Sequence, residues 1–301
     1  MGDFSIEPRG PFTLASAARF IAGWPPAGRP GAGTGGETAL GLGFLVDDWS
    51  GYAGVSLLQE RPDGPVQGTI VEATAVDPER IREQAARIVS LDHDGEGYRT
   101  LGERDAVVGR RQRASGWLRP VLFHSPYEAA CWAVISARMR QTVAAGVRDE
   151  LSRTAGGRVT VGDEELLTFP APGRLLEVSE AASLSAEKLR RLHSIARAAL
   201  EGRLDREALL ARGHDEALAA LRELHGIGPF WAEGILLRAV GPTDALTLSE
   251  PRLRRRAAGA YETPEAVDDD AAFVALAERW RPYRTWASVL LRAVDQPLPL
   301  T

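Results

Sequence analysis

The segment from Leu221 to Arg238 constrains the fold most, because it places a tight glycine turn between two helical patterns. Its centre reads His-Gly-Ile-Gly-Pro-Phe-Trp. A helix is predicted to end at Gly226 and the next to begin at Pro229, since glycine follows helix ends and proline favours the first helical turn. First-turn amides at the positive end of a helix can hold a phosphate without any lysine. An ordinary helical hairpin with a glycine turn is the alternative interpretation.

The size and composition favour a globular protein with more than one packed unit. The chain has 301 residues, of which 44% are hydrophobic, and this is enough to bury a substantial core. The sequence contains no apolar run long enough to span a membrane and no N-terminal basic region followed by an apolar stretch. We therefore expect no membrane partner and a cytoplasmic location.

The charge of the chain argues weakly against nonspecific binding to nucleic acid. The formal net charge is −5, whereas phosphate binding relies on cationic side chains. Local charge differs from this average, because arginines concentrate in the C-terminal third. A solvated helix face and a phosphate-facing patch are equally compatible with this run. Its members are Arg252, Arg254, Arg255, Arg256, Arg279, Arg281 and Arg284.

Metal and cofactor chemistry finds no support in the sequence. Cys131 is the only cysteine and lies in an apolar helical pattern, and the five histidines are scattered. Disulfides, thiolate zinc sites and cysteine-ligated clusters within the chain are therefore excluded, and we expect no metal or cofactor. Lys188 is the only lysine, so any Schiff-base chemistry would have to use it. Its helical context predicts a solvated side chain.

The first unit, residues 1–111, is predicted to be α+β. A short helix over 14–23 precedes three strand-like segments at 38–47, 52–60 and 66–76, which form an antiparallel meander. A helix follows from Pro78 to about Leu91. The glycine-rich stretch 27–36 contains a match to the dinucleotide fingerprint, but it follows Arg-Pro instead of a strand, and we reject it. Whether this stretch contacts a ligand stays open.

The second unit, residues 112–301, is predicted to be all-α. Ser125, a proline at the next position and Glu128 form a capping box that opens a long helix through Arg148 and beyond. Further helical patterns recur at 185–201, 205–211, 215–225, 229–240, 251–261, 270–280 and 285–293.

Three motifs together resemble a known enzyme family. The stretch Leu224-x-Gly-Ile-Gly-Pro-Phe-x-Ala is similar to the helix–hairpin–helix of DNA base-excision glycosylases. The spacing to Asp244-Ala-Leu-Thr-Leu-Ser-Glu and to Trp280-Arg-Pro-Tyr-Arg-Thr-Trp-Ala resembles the 3-methyladenine DNA glycosylase II family. The N-terminal meander resembles that family's TATA-binding-protein-like α+β domain. The resemblance covers essentially the whole chain.

The resemblance implies a monomeric enzyme that acts on double-stranded DNA carrying a damaged base. Such an enzyme flips the alkylated purine out of the duplex and hydrolyses its N-glycosidic bond, while one carboxylate stabilises the cationic sugar. The catalytic carboxylate falls at Glu250, which could alternatively complement the positive end of its own helix. The implied DNA-binding residues are Gly226, Ile227, Gly228, Phe230 and Arg138. The candidate base-pocket residues, most of which we expect to be core aromatics, are Phe20, Trp231, Trp280, Tyr283 and Trp286.

Several positions depart from the family pattern. Glu250 replaces an aspartate, Arg138 stands where an apolar wedge is expected, and Arg292 and Gly234 stand at two pocket positions that are aromatic in the family. Phe230 occupies the place of the lysine of lyase-type members, which favours hydrolysis without strand cleavage.

Two functional hypotheses follow, together with a weaker third. The first is an active monofunctional glycosylase of the 3-methyladenine type. The second is a catalytically degenerate protein of the same fold that binds DNA lesions or DNA structures. An unrelated helical scaffold is the third, and it would not bind DNA even at low salt.

Overall fold

The computed structural model describes residues 2–26, 38–74, 77–180 and 183–293. The fingerprint-like glycine stretch 27–36, whose ligand contacts were left open, falls outside these residues. Within the described part, no helix is both long and apolar enough to cross a membrane.

The N-terminal part contains a four-stranded antiparallel sheet. Its strands are β1 (Asp3–Ile6), β2 (Ala39–Leu45), β3 (Tyr52–Leu58) and β4 (Val66–Ala73), in the spatial order β1-β4-β3-β2. The predicted meander is confirmed. Strand β1 was not predicted, because four residues before a proline give almost no alternation. It pairs with β4 from Asp3 opposite Thr69 to Ile6 opposite Val66.

Two helices share an apolar core with this sheet. They are α1 (Leu14–Ala22) and α2 (Pro78–Ile88). Leu14 and Ile21 of α1 and Ile81 of α2 are buried with Leu42 and Val55 of the strands. The N-terminal part is therefore α+β as predicted, while its specific likeness to the TATA-binding protein stays a prediction.

The remainder of the described chain is mainly helical. The helices are α3 (Glu96–Arg104), α4 (Ala106–Ser115), α5 (Pro126–Ser136), α6 (Gln141–Ala155), α7 (Pro172–Leu176), α8 (Ala186–Leu200), α9 (Arg206–Ala211), α10 (His214–Arg222), α11 (Pro229–Ile235), α12 (Pro251–Tyr261), α13 (Asp270–Ala277) and α14 (Arg284–Ala293). A π-helical turn, Leu236–Val240, continues α11, and 3-10 turns lie at Pro264–Val267 and Glu278–Trp280.

The prediction of one long helix through Arg148 is wrong, because the chain forms two helices there. Helix α5 begins as expected, with the Ser125 side chain accepting a hydrogen bond of 3.1 Å from the Glu128 amide. It ends at Ser136, and α6 begins at Gln141. Arg138 lies between them with φ of +56°, a left-handed conformation that an α-helix does not contain.

The prediction that everything after residue 112 is helical is also wrong. A hairpin of β5 (Arg158–Val161) and β6 (Glu164–Leu167) packs on the face of the N-terminal sheet opposite to α1 and α2. Glycines in the sheet permit this approach, since a Cβ on Gly43 would lie 2.8 Å from Leu166 and 2.9 Å from Val159. The signal was present as a short alternating pattern around Gly162, which has φ of +62°.

Helices on both sides of residue 112 share one core. Tyr98 and Leu101 of α3 and Val108 of α4 are buried with Trp286 and Leu290 of α14. The division at 111/112 stays a prediction, but α3 and α4 pack with the C-terminal helices. A separate core surrounds α5, in which every residue from Pro126 to Ile135 is buried.

Candidate functional site

The glycine hairpin between α10 and α11 has one buried face and one exposed face. Leu224 and Ile227 are buried in the core around α5, whereas Gly226, Gly228 and Phe230 are exposed. Gly226 has φ of +95°, which accounts for glycine at this position. The hairpin therefore presents backbone at the surface from a rigidly anchored turn.

Phe230 and Gly228 have the surface properties expected of contact residues. Phe230 is 45% exposed and is one of few large apolar side chains that reach solvent in the described residues. Gly228 has extended backbone, and a Cβ built there would meet nothing within 4 Å. Neither residue is explained by packing within the chain, so this edge is open to a partner.

Lys188 holds the end of α5 and the following turn, which corrects the prediction of a solvated side chain. Its Nζ donates hydrogen bonds to the carbonyl oxygens of Ile135 at 2.6 Å and Ala137 at 2.9 Å. A lysine at this position satisfies carbonyls that the helix end leaves open. Burial lowers the pKa of Lys188, and the nearby charge of Arg191 lowers it further. Arg138 is exposed in the turn that this lysine fixes.

Glu250 caps helix α12. Its Oε1 accepts a hydrogen bond of 3.1 Å from the Arg252 amide, which is the helix-complementing role considered as the alternative. The same oxygen lies 2.8 Å from Nη1 of Arg292 in an ion pair, and the Glu250 side chain is only 18% exposed. A carboxylate is therefore fixed at the predicted position, but with a cation beside it.

A second carboxylate positions the segment that leads to Glu250. Glu233 is buried on α11 and accepts hydrogen bonds from the hydroxyls of Thr247 and Ser249 and from the Ser249 amide, the last two at 2.6 and 3.0 Å. Sequence reasoning missed this residue, because a single glutamate within a helical pattern carries no distinguishing signal.

A cavity of about 420 Å³ opens beside Glu250 and is rich in arginine. Five guanidinium-bearing residues line it, from four different parts of the chain. They are Arg19, Arg238, Arg252, Arg256 and Arg292. Phe20 and Trp24 add aromatic walls.

Arg238 is the most deeply placed of these arginines. Its guanidinium carbon lies 3.9 Å from the centroid of the Trp24 ring and 5.1 Å from that of Phe20, and its Nη2 donates to the Val121 carbonyl at 2.7 Å. Burial, together with the charge of Arg292, lowers the pKa of Arg238 to about 9. Burial also lowers the pKa of Arg292.

Of the five candidate base-pocket aromatics, only Phe20 lines this cavity. Trp280, Tyr283 and Trp286 are buried in the C-terminal core, where Trp280 Nε1 donates to the Tyr261 hydroxyl and Tyr283 donates to the Asp94 carbonyl. Trp231 is half-buried and packs edge-on against Phe230. Trp280, Tyr283 and Trp286 are therefore core residues, which was the alternative interpretation of these aromatics. Arg19 and Trp24 were missed, although Arg19 directly precedes Phe20 on α1 and Trp24 lies just beyond the end of that helix.

The chain is similar in structure to DNA glycosylases. The 3-methyladenine DNA glycosylase of Archaeoglobus fulgidus superposes with a TM-score of 0.76 over 99% of this chain and 100% of that chain, at 20% identity. The chain has the fold of the 3-methyladenine DNA glycosylases. The 8-oxoguanine glycosylase/lyase of Clostridium acetobutylicum, solved with double-stranded DNA, matches with a TM-score of 0.61, 16% identity and coverage of 81% and 83%.

A comparison of sequences also finds a DNA-3-methyladenine glycosylase. A Bacillus subtilis DNA-3-methyladenine glycosylase is 23% identical over 154 residues, which are 50% of this chain and 51% of the relative. The match thus spans about half the length of that curated relative. No protein-family profile matches the chain. The resemblance stated from the motifs is confirmed as a similarity to 3-methyladenine DNA glycosylases in sequence and in fold.

Proposed function

We propose that the chain is a DNA glycosylase that hydrolyses the N-glycosidic bond of a damaged purine in duplex DNA. The observation that carries this proposal is the anchored glycine hairpin, with exposed Gly228 and Phe230, in a chain that shares the glycosylase fold over its whole length. We propose that it acts as a monomer in the cytoplasm. The names of its relatives support 3-methyladenine-type lesions as the substrate.

DNA would be held through main-chain amides. The amides of Phe230 and Trp231 stand in the first turn of α11, at the positive end of the helix, and a backbone phosphate would accept hydrogen bonds from them. Arg138, exposed in the turn after α5, would approach the duplex where the base leaves the stack. This contact needs few cations, which is compatible with a formal net charge of −5.

Glu250 would stabilise the cationic sugar that develops as the glycosidic bond breaks. A fixed carboxylate beside an oxocarbenium-like sugar lowers the barrier electrostatically. Strand cleavage through a lysine Schiff base is disfavoured for two reasons. Phe230 stands where lyase-type enzymes carry their lysine, and the only lysine of this chain, Lys188, is hydrogen-bonded to the end of α5. The proposed reaction is therefore monofunctional hydrolysis.

The test is release of methylated bases from alkylated duplex DNA by the unmodified protein and by Glu250→Gln. A glutamine retains the oxygen that caps α12 and removes only the charge. We expect release by the unmodified protein and its loss in the variant, while Glu265→Gln, at an exposed site, leaves it unchanged. Release that survives Glu250→Gln would assign the carboxylate's role elsewhere, with Glu233 the next residue to substitute.

The ion pair between Glu250 and Arg292 favours a second candidate function, a DNA-lesion binder without catalysis. A guanidinium 2.8 Å from the carboxylate offsets its charge. This candidate requires tight binding to duplex DNA with no release of any base.

A further inference from the structure

We propose that Arg191 of helix α8 is a side-chain ligand for a DNA phosphate beside the glycine hairpin, and that Glu187 occupies its guanidinium until the phosphate replaces the carboxylate. This inference rests on the proposed function, because it takes duplex DNA as the partner. It goes beyond that function by adding to the main-chain amides of the hairpin a charged side chain that a neighbouring carboxylate controls.

Arg191 packs directly against the hairpin. A Cβ built on Gly226 would lie 3.0 Å from Cδ of Arg191 and 3.7 Å from its Cγ, with Cγ2 of Val134 at 3.6 Å. Gly226 lies two residues before Gly228, so their Cα atoms are at most about 7 Å apart. An arginine packed on the first glycine can therefore reach a phosphate held at the second, or the next phosphate of the same strand.

The carboxylate of Glu187 fixes the guanidinium of Arg191 at this edge of the hairpin. Its Oε1 accepts a hydrogen bond of 2.8 Å from Nε of Arg191, and the same oxygen lies 4.0 Å from Nε2 of His225, the residue before Gly226. Its other oxygen, Oε2, accepts a hydrogen bond from Arg190. The hydrogen bonds from Arg190 and Arg191 lower the pKa of Glu187, so this group is negatively charged at neutral pH.

Arg191 retains hydrogen-bonding capacity for a partner. Its Nε is bonded to Glu187, whereas no oxygen in the described part of the chain accepts a hydrogen bond from its Nη1 or Nη2. The side chain is 37% exposed, so a ligand can approach it from solvent. A guanidinium with its terminal nitrogens free suits a phosphate, which accepts two parallel hydrogen bonds from such a group.

The hold of Glu187 on Arg191 is weak enough for a phosphate to replace it. Glu187 is 42% exposed, and exposed ion pairs between residues four positions apart on a helix contribute little and are screened by salt. Bound DNA brings phosphates near this carboxylate, and the like charges repel one another. Arg190 retains Glu187 when Arg191 turns to a phosphate, because it is bonded to the other oxygen. We therefore expect Glu187 to oppose DNA binding and Arg191 to support it.

Arg190 provides a matched control for Arg191. The two arginines are adjacent on α8 and share one carboxylate, but successive side chains of a helix point in different directions. Only Arg191 is among the atoms nearest to a Cβ built on Gly226, and Arg190 is 68% exposed. A difference between the two variants therefore reports closeness to the hairpin and not the loss of an ion pair with Glu187.

The experiment is fluorescence anisotropy with a labelled duplex that carries a stable abasic-site analogue, so that there is no base to release. Binding is measured over a range of salt concentrations. We expect Arg191→Gln to weaken binding roughly fivefold at low salt and to reduce the slope of log affinity against log salt by about one. Arg190→Gln should change neither quantity. Glu187→Gln should bind severalfold more tightly, because the charge that competes with the phosphate is removed.

Equal effects of Arg191→Gln and Arg190→Gln would overturn the inference, as would weaker binding by Glu187→Gln. Either result in a protein that binds the duplex refutes this inference alone, whereas a protein that binds no duplex overturns it together with the proposed function. Base release is measured separately on alkylated DNA. Absence of release, combined with the expected arginine effects, would overturn the proposed hydrolysis and leave the Arg191 contact standing.

Discussion

Glu250 and Arg292 form an ion pair beside the arginine-lined cavity, and under the proposed function this pair would set how much negative charge a bound sugar experiences. The two groups are 2.8 Å apart, and the Glu250 oxygen is also used by the helix cap. A carboxylate in this arrangement is well positioned but partly neutralised. The effects of the position and of the charge of the Glu250 carboxylate can therefore be distinguished by substituting Arg292 and retaining Glu250.

We expect Arg292→Gln to raise the rate of base release severalfold. The substitution removes the cation beside Glu250, so that more of the carboxylate's field acts on the developing oxocarbenium sugar. The measurement is single-turnover release from alkylated duplex DNA at saturating enzyme, with Arg255→Gln as the control for general loss of positive charge. A decrease in rate with unchanged DNA binding would show that Arg292 contributes to the reaction itself.

Single residues show where sequence reasoning reaches its limit. The position of Glu250 at the start of α12 was predictable, because the proline that follows it fixes the helix start. Its pairing with Arg292 was not, since 42 positions separate the two residues in the chain. Most of the candidate pocket aromatics were expected to be core, and Trp280 and Trp286 are. The sequence alone did not say which of them would be, because helical spacing states which residues share a face but not what covers that face.

At the scale of elements, Gly226 and Gly228 perform different tasks within one turn. Gly226 has a positive φ, and a Cβ there would lie 3.0 Å from the Arg191 side chain. Gly228 has ordinary backbone angles and open space around the position of a Cβ. The backbone conformation thus requires the first glycine, whereas no contact among the described residues requires the second.

We expect Gly228→Ala to leave the melting temperature unchanged and to weaken duplex DNA binding by roughly tenfold, because the added methyl group stands between the hairpin amides and a phosphate. Gly226→Ala should in addition destabilise the fold by about 1 kcal/mol or more. Thermal unfolding and fluorescence anisotropy with a labelled duplex measure both quantities. Gly146→Ala, at an exposed position of α6, is the control. Undiminished DNA binding by Gly228→Ala would exclude the hairpin as a DNA contact.

Lys188 couples the end of α5 to the turn that carries Arg138. We expect Lys188→Met to reduce the free energy of unfolding by about 1–2 kcal/mol, since two carbonyl oxygens lose a charged donor. DNA affinity should fall as well, because Arg138 is no longer held in its left-handed conformation. Chemical denaturation and anisotropy test the two effects. Arg190→Met, an exposed neighbour on the same helix, should change neither, and a fall in stability without any change in DNA affinity would separate Lys188 from the Arg138 turn.

Helix boundaries with strong local chemistry were predictable, and elements fixed by tertiary contact were not. Ser125 and Pro229 marked the starts of α5 and α11 correctly, because capping and proline geometry act within a few residues. At the break at 137–140, the adjoining carbonyls of Ile135 and Ala137 accept hydrogen bonds from Lys188, which is distant in sequence. The β5–β6 hairpin depends on glycines of the sheet beneath it. In both cases the deciding contact is long-range.

At the scale of the whole molecule, Arg119 joins parts of the chain that local patterns assign to different units. Its guanidinium donates to the carbonyls of Arg9 at 2.7 Å, Gly10 at 2.9 Å, Pro11 at 3.1 Å and Ser90 at 3.2 Å. It also lies 5.2 Å from the centroid of Trp286 in the C-terminal core. Burial lowers its pKa to about 10, so the group remains charged at neutral pH.

We expect Arg119→Met to lower the free energy of unfolding by at least about 3 kcal/mol, because four carbonyl oxygens, two of them in fully buried contacts, lose their donor together. The loss should appear as one cooperative transition shifted as a whole, since the same side chain contacts the N-terminal segment and the C-terminal core. Differential scanning calorimetry distinguishes one shifted transition from two transitions of which only one shifts. Two transitions would mean that the two units predicted to meet at residues 111 and 112 unfold independently. Arg99→Met, at an exposed position on α3, controls for the loss of a charge. Because the arginine cavity takes residues from both α1 and α14, a single transition would also mean that a ligand bound in the cavity stabilises the entire described fold.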